Sequence, residues 1–187
     1  MRIIGGFARG RKLAEFEGSA IRPTADRIRE ALFSILFSRM GSPEGFQVLD
    51  LFAGTGALGI EALSRGAQKA TFVERSPRAQ TLIRENLRRC GLDSRAHLLA
   101  ADVSAILPRL DEKYDLIFLD PPYHKELLPP ALEIIARREL AAPNATVCAE
   151  TQKDETLAGQ FGSLCRFRTA IYGDTALHLF AVTPGNS

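Results

Sequence analysis

Four consecutive residues, Asp120-Pro121-Pro122-Tyr123, carry the strongest chemical signal in the sequence. They directly follow an almost unbroken apolar run at residues 114–119, which is typical of a strand buried on both faces of a parallel sheet. The two prolines fix the backbone and remove two N–H donors, so the segment presents acceptors. Asp120 adds a carboxylate, and Tyr123 adds a flat ring for stacking. The competing interpretation is a plain turn after a strand, which Asp-Pro pairs often make.

This set of acceptors suits an exocyclic amine on a nucleic-acid base. Such an amine is a poor nucleophile because its lone pair is delocalised into the ring. If Asp120 and the carbonyl of Pro121 accept its two hydrogens, the lone pair can turn toward a methyl donor. Ligands of open α/β sheets bind beyond the carboxyl ends of the strands, which is where this segment stands.

A glycine-rich segment earlier in the chain lies between a predicted strand and a predicted helix. Its glycines fit the pattern G-x-G-x-x-G, in the stretch Asp50-Leu-Phe52-Ala53-Gly54-Thr-Gly56-Ala-Leu-Gly59. Such glycines let the backbone approach a cofactor closely. The pattern alone is weak, since it suits a nicotinamide enzyme equally, and a plain tight turn is the other interpretation.

An acidic residue, Glu74, ends the next predicted strand and is followed by Arg75. A carboxylate there can accept both ribose hydroxyls of an adenosine, because it offers two acceptor oxygens. The alternative is an acid that faces solvent at a strand end. Glu74 favours an adenosine-containing cofactor without choosing between a dinucleotide and S-adenosylmethionine. The segment at Asp120 makes that choice, in favour of S-adenosylmethionine.

The elements that must position these residues alternate between strands and helices. Apolar runs predict strands at residues 48–52, 70–74, 96–100, 114–119 and 145–149. Helices are predicted after Pro23 and at residues 57–65, 77–90 and 131–140, with Ser76 and Gly91 bounding the helix at 77–90. The alternation predicts an α/β fold with a mostly parallel sheet and helices on both faces. Residues 164–172 and 175–182 predict antiparallel neighbours joined by Gly173-Asp174 in a type II′ turn, which puts one antiparallel strand at the end of the sheet.

Length and composition favour one domain. The chain has 187 residues, of which 45% are hydrophobic. We divide it into a basic arm at 1–21, a helix at 22–40 and a sheet-containing core at 47–187. Three cysteines without CxxC spacing predict no disulfide framework and no metal site, and they suit a reducing cytoplasm. The N-terminus lacks the apolar stretch of a signal peptide, and no run is apolar enough to span a bilayer.

Basic residues concentrate at the N-terminal end. Residues 1–39 hold eight Lys and Arg against four acids, while the whole chain has a formal net charge of only +2. The first 21 residues predict an extended arm or small hairpin whose glycines give it freedom and whose Arg9, Arg11 and Lys12 can meet a polyanion. A solvated basic surface is the alternative. In the helix that follows, Arg29 falls off the apolar stripe.

The whole chain resembles the RsmD family, the bacterial 16S ribosomal RNA (guanine-N2)-methyltransferases. Asp120-Pro121-Pro122-Tyr123 resembles the catalytic motif of amino-methyltransferases, and the glycine segment is shared by many methyltransferases. The stretches more specific to the family lie at residues 1–13 and 22–33, and further matches lie at 61–67 and 172–177. Thr55 is a small departure, because Ser is expected there as often.

The resemblance implies a Rossmann-like class I S-adenosylmethionine methyltransferase with a seven-stranded sheet whose last strand is antiparallel. Asp50 and the Gly54–Gly56 turn would line the methionine end of the cofactor, Glu74 would hold the ribose, and Asp102 would contact the adenine amine. Arg22 and Thr24 would close over the cofactor. Asp102 and Thr24 could instead be helix N-caps. The substrate would be 16S rRNA, in an assembled or assembling small ribosomal subunit, and the arm would grip RNA phosphates. We expect a cytoplasmic monomer.

Three alternatives remain open at this point. A nicotinamide oxidoreductase could use the glycine segment, although Asp120-Pro121-Pro122-Tyr123 and the antiparallel terminal hairpin speak against it. A non-catalytic RNA-binding assembly factor could keep the sheet as a scaffold. The same chemistry could act on adenine N6 or cytosine N4, since the motif serves those amines too. Only the family resemblance selects guanine.

Overall fold

In the computed structural model, residues 1–16, 23–122 and 126–183 are described. The helices are α1 (Pro23–Met40), α2 (Ala57–Ser64), α3 (Pro77–Cys90), α4 (Val103–Ile106) and α5 (Leu128–Arg137). The strands are β1 (Gln47–Leu51), β2 (Lys69–Val73), β3 (Ala96–Leu99), β4 (Tyr114–Leu119), β5 (Ala141–Gln152), β6 (Gln160–Phe161), β7 (Leu164–Tyr172) and β8 (Thr175–Val182). None of the described helices is long and apolar enough to cross a bilayer.

Capping residues and prolines set the ends of several of these helices. The Ser76 hydroxyl accepts a hydrogen bond from the Ala79 N–H at the start of α3, and Gly91 ends the helix with φ 67°. Both predictions are confirmed. Helix α5 begins three residues before the predicted start, because prolines are tolerated in the first turn of a helix, where N–H groups lack partners.

The strands form a single mixed sheet in the order β3-β2-β1-β4-β5-β8-β7-β6. Strands β1 to β5 pair in parallel, and β8 pairs antiparallel with β5. The sheet has eight strands rather than the predicted seven, because the two-residue β6 adds to β7. The order reverses between β1 and β4, and the carboxyl ends of strands at such a reversal form a crevice.

The terminal hairpin confirms an antiparallel last strand but not its predicted place at the end of the sheet. Gly173 has φ 61°, as the first position of a type II′ turn requires. Strand β8 lies inside the sheet, between β5 and β7. The physical reason is burial: β8 is almost entirely buried, whereas the middle of β7 is exposed.

Two apolar cores cover the two faces of the sheet. Helices α1, α2 and α3 pack on one face, where Phe33, Ile60 and Ile83 meet Phe118 of β4. Helices α4 and α5 pack on the other face, where Leu132 and Ile135 meet neighbouring sheet residues. The predicted three-layer arrangement is therefore confirmed, and Asp50 shares its face with α2 because Gly59 of that helix bonds to it.

Residues 1–16 of the N-terminal arm form a small hairpin tied to the rest of the protein. An isolated bridge joins Arg2 to Lys12, and the side chains of Ile3 and Leu13 are buried. The buried carboxylate of Glu61 in α2 accepts the N–H groups of Ile4 and Gly5 at 2.9 and 2.8 Å. The arm is thus held by a buried acceptor at its first strand.

The predicted freedom from the arm's glycines is wrong at Gly6. A Cβ at this residue would lie 1.8 Å from the carbonyl oxygen of Ser64, so glycine here permits close packing rather than motion. The Ser64 carbonyl accepts from the N–H of Phe7 at 2.9 Å. Because Ser64 ends α2 near the amino end of the next strand, the tip of the arm lies at the amino edge of the sheet.

Candidate active site

A pocket of about 1100 Å³ opens at the carboxyl ends of β1, β2 and β4. It brings together most of the residues singled out from the sequence, namely Asp50, Phe52, Ala53, Gly54, Glu74, Arg75, Asp102, Asp120, Pro121 and Pro122. Gly56 is not on its wall but caps α2 behind the loop, with φ 78°. Arg22 and Tyr123 and the side chain of Thr24 lie outside the described residues.

The loop after β1 is shaped by its backbone. Phe52 adopts φ 60°, a left-handed conformation that costs a non-glycine residue about 1–2 kcal/mol. The next residue, Ala53, donates its N–H to the Val73 carbonyl of β2 at 3.1 Å and accepts from the N–H of Gly56 at 2.7 Å. The neighbouring strand therefore holds a turn that projects Phe52 and Gly54 toward the pocket.

The carboxylate of Glu74 is fixed from both sides. Its Oε2 accepts the N–H of Gly54 at 2.9 Å, and its Oε1 accepts the N–H of Ser76 at 2.8 Å. Two backbone donors leave further lone pairs on the same two oxygens, because a carboxylate has about four acceptor sites. Glu74 is half-buried at the pocket wall rather than a solvent-facing acid, so it can accept a pair of hydroxyls in a set orientation.

Asp50 is a buried acid beneath this loop. Its side chain is 2% exposed, and its Oδ2 accepts the N–H of Gly59 at 2.9 Å. Burial raises the pKa of Asp50 to about 7; the Gly59 hydrogen bond opposes the increase, and the charge of Glu74 adds to it. Gly59 must be glycine, because a Cβ there would lie 2.4 Å from the ring of Phe72.

Asp102 is a helix N-cap, the alternative considered for it above. Its Oδ1 accepts from the N–H and the hydroxyl of Ser104 at 2.9 and 2.8 Å, and its Oδ2 lies 3.2 Å from Nη1 of Arg75. The Ser104 hydrogen bonds, and after them Arg75, hold the pKa of Asp102 below its ordinary value. Asp102 nevertheless lines the pocket and has acceptor capacity left for a ligand.

Asp120 stands at the mouth of the pocket, directly after β4. Desolvation by the surrounding walls, followed by the charges of Glu150 and Asp50, raises the pKa of Asp120 well above its ordinary value. The residue is still exposed at the pocket mouth, so solvent screens part of this effect. Pro121 is buried and Pro122 exposed, so the backbone between them turns at the wall of the pocket.

Acidic residues outnumber basic ones on the described pocket wall. Two arginines, Arg29 and Arg75, face a larger set of acids, which comprises Asp50, Glu74, Asp102, Asp120, Glu150 and Asp174. Such a surface attracts a cationic ligand and repels an anionic one. The pocket therefore fits a sulfonium-bearing nucleoside better than a pyrophosphate-bearing dinucleotide.

Two candidate functional residues, Glu150 and Arg29, were not predicted from the sequence. Glu150 follows the buried part of β5 as Asp120 follows β4, and that shared position was the available signal. Arg29 fell off the apolar stripe of α1, yet it is 4% exposed and lines the pocket. It is buried because it bonds to the carbonyl of Arg2 at 2.5 Å and lies 3.6 Å from Glu61, contacts that a helical pattern does not reveal.

The chain is similar to known proteins along nearly its whole length. Residues 1–181 match the family described as "Conserved hypothetical protein 95". The ribosomal RNA small subunit methyltransferase D of Haemophilus influenzae is 36% identical over 84% of this chain and 81% of its own length. A putative rRNA methyltransferase of Bacillus subtilis, YlbH, is 33% identical over 96% and 98%. The structure of a putative methyltransferase from Escherichia coli, yhhF, superposes with a TM-score of 0.85 at 28% identity, covering 97% of each chain.

Proposed function

Because the chain belongs to the RsmD family, which includes the ribosomal RNA small subunit methyltransferase D proteins, we propose that it methylates the exocyclic N2 amine of a guanine in 16S rRNA, using S-adenosylmethionine. The observation that carries this proposal is the pocket itself. One cavity joins the glycine loop, the oriented Glu74 carboxylate and the acceptors at Asp120 and Pro121. A methyl donor and a base amine could meet there.

The residues of the pocket fit the cofactor. Asp50, Phe52, Ala53 and Gly54 would surround its methionine end, while Gly56 supports their turn from behind as the cap of α2. The fixed carboxylate of Glu74 would accept the ribose hydroxyls, and Asp102, beside Arg75, would accept the adenine amine. The proposed closing roles of Arg22 and Thr24 concern side chains outside the described residues. S-adenosylmethionine supplies an electrophilic methyl group on a positively charged sulfur, which the acidic wall favours.

The protein would contribute to catalysis mainly by positioning the base amine for reaction. Asp120 and the carbonyl of Pro121 would each accept one hydrogen of the amine, which turns its lone pair out of the ring plane. Pro122 fixes the backbone after that carbonyl, and Tyr123 would stack on the base. The amine would gain a bond to the methyl carbon as the bond from that carbon to the cofactor sulfur breaks and its electron pair stays on the sulfur. The amine would also lose a proton, for which Asp120 is the proposed acceptor. Holding the reacting groups in this geometry lowers the entropic part of the barrier.

The rival functions are less well supported by the site. A nicotinamide dinucleotide would place its pyrophosphate beside carboxylates, and the N–H groups of Gly54 and Gly59 are already bonded to Glu74 and Asp50. A non-catalytic scaffold would have no use for an oriented Glu74 in the same pocket as Asp120. Methylation of adenine N6 or cytosine N4 would use the same acceptors, and the family favours guanine over both.

The RNA would also meet the basic arm. Arg9, Arg11 and Lys12 are exposed, and we propose that they contact phosphates. Since the tip of the arm lies at the amino edge of the sheet, an RNA that inserts a base into the pocket would have to extend along α2 and α3 to reach Arg9. Such a long footprint suits folded RNA in an assembled or assembling small ribosomal subunit. We propose that the protein acts there as a monomer in the cytoplasm.

The test is Asp120→Ala, with Asp154→Ala in an exposed turn as the matched control. Loss of the acceptor should lower kcat on small subunits on the order of 10²-fold or more, while the Kd for S-adenosylmethionine changes little. The control should behave as the wild type. Near-normal turnover by Asp120→Ala would refute the role assigned to this residue.

A further inference from the structure

A second carboxylate stands beside the proposed catalytic one. Strands β4 and β5 pair in parallel with Leu119 opposite Ala149, so that Asp120 and Glu150 are the next residues along the two neighbouring strands. Neighbouring strands lie about 4.8 Å apart, and laterally paired residues point to the same face. Both residues line the pocket, and the charge of Glu150 contributes to the raised pKa of Asp120. The two acids therefore act on one small region of the pocket.

Adjacent carboxylates select ligands by their hydrogen-bond pattern. An ionised carboxylate only accepts, and the raised pKa of Asp120 means that its ionised form beside Glu150 is unfavourable without a partner. The pair therefore favours a ligand edge with adjacent donors, which offsets the repulsion between the two groups. Guanine has that edge, with N1–H next to the N2 amine. Adenine and cytosine place a ring nitrogen lone pair, N1 or N3, next to their amines. That lone pair would face a carboxylate and leave both groups without a hydrogen, which is costly once the bound base displaces water from them.

We propose that Glu150 is the residue that selects guanine, by accepting the N1–H while Asp120 and the Pro121 carbonyl hold the N2 amine. This inference rests on the proposed function and deepens it, because it locates base selection in the chain itself. The donor-rich edge of guanine also reduces the repulsion between the two carboxylates. The order of the strands makes this pairing possible, since it places the ends of β4 and β5 side by side.

The first part of the experiment compares two substitutions of Glu150. Glu150→Leu removes the acceptor and keeps a side chain of comparable bulk, whereas Glu150→Gln keeps a neutral acceptor oxygen. On small subunits that lack their modifications, Glu150→Leu should lower kcat/KM on the order of 10²-fold, and Glu150→Gln should lower it less. The Kd for S-adenosylmethionine should stay within a few-fold of wild type. Glu133→Gln, on an exposed position of α5, is the matched control.

The second part of the experiment distinguishes base selection by Glu150 from a purely structural role of this residue. Small subunits are reconstituted with guanine or 2-aminopurine at the nucleotide that the wild type methylates. 2-Aminopurine keeps the amine but has no N1–H. The wild type should prefer guanine on the order of 10²-fold, and Glu150→Leu should reduce that preference to a few-fold.

Equal use of both bases by the wild type, or an unchanged preference in Glu150→Leu, would overturn the inference. Failure of the proposed function has a different signature. In that case the wild type itself would place no label on guanine, whatever residue occupies position 150.

Discussion

Replacement of Asp50 by asparagine should make the stability of the protein less sensitive to pH. The carboxyl of Asp50 has a pKa of about 7 in the fold against an ordinary value of 3.8. An unfolded chain therefore releases this proton near pH 4, whereas the folded protein releases it only near pH 7. Between those values the unfolded state binds fewer protons, so the wild type loses stability as pH rises. The side chain is 2% exposed, so the effect is not screened by solvent.

The size of the effect follows from the pKa difference. About three units correspond to about 4 kcal/mol. Urea unfolding of the wild type and Asp50→Asn, measured between pH 4 and pH 8, gives the difference in the free energy of unfolding. That difference should shift in favour of the variant by about 3–4 kcal/mol from pH 4 to pH 8, and it should level off above pH 7. The cost of burying the asparagine amide does not depend on pH, so it does not affect the change in this difference between two pH values.

The same substitution that favours stability at high pH should weaken the binding of S-adenosylmethionine. At pH 8 the variant lacks a negative charge beneath the cofactor loop, so it should bind cationic S-adenosylmethionine more weakly than the wild type. Glu133→Gln supplies an exposed acid-to-amide control for both measurements. A difference in unfolding free energy that stays flat from pH 4 to pH 8 would refute the account of Asp50.

Two further predictions concern the arm. Replacing its three exposed basic residues Arg9, Arg11 and Lys12 by alanine should weaken RNA binding and reduce the slope of log K against log salt by about 2–3, because each phosphate contact releases about one counterion; unchanged binding at several salt concentrations would rule out this contact surface. Gly6→Ala should destabilise the protein by more than about 2 kcal/mol, since its Cβ would meet the Ser64 carbonyl at 1.8 Å. Gly10→Ala, with a similar φ of 83° and open space around it, should cost only about 1 kcal/mol; equal urea unfolding midpoints for the two variants would contradict the packing argument.

Features set by neighbouring residues were predictable from the sequence. The cap at Ser76, the stop at Gly91 and the hairpin turn at Gly173 depend on residue chemistry within a few positions, and all three are observed. The residues on the pocket wall were predictable for a related reason. Asp50, Glu74 and Asp120 each stand at or near the carboxyl end of a parallel strand, and parallel strands bring those ends together.

Features set by distant contacts were not predictable. Helical periodicity places Arg29 outside the apolar stripe, but the buried carboxylate of Glu61 in another helix draws it inward. The freedom assigned to Gly6 was wrong because Ser64, far along the chain, occupies the space beside it. Asn86 of α3 was missed entirely, although it bonds to both backbone groups of Ala14 and to the Thr55 carbonyl. It therefore links the arm to the cofactor loop.

The most direct test of the central claim is transfer of a labelled methyl group from S-adenosylmethionine to small ribosomal subunits that lack their modifications, followed by nucleoside digestion. We expect the label in N2-methylguanosine, and its loss with Asp120→Ala. Label in a methylated adenosine or cytidine would contradict the choice of guanine while keeping the chemistry. Absence of label on subunits and on naked RNA, despite measurable cofactor binding, would contradict the assignment of this protein as an rRNA methyltransferase.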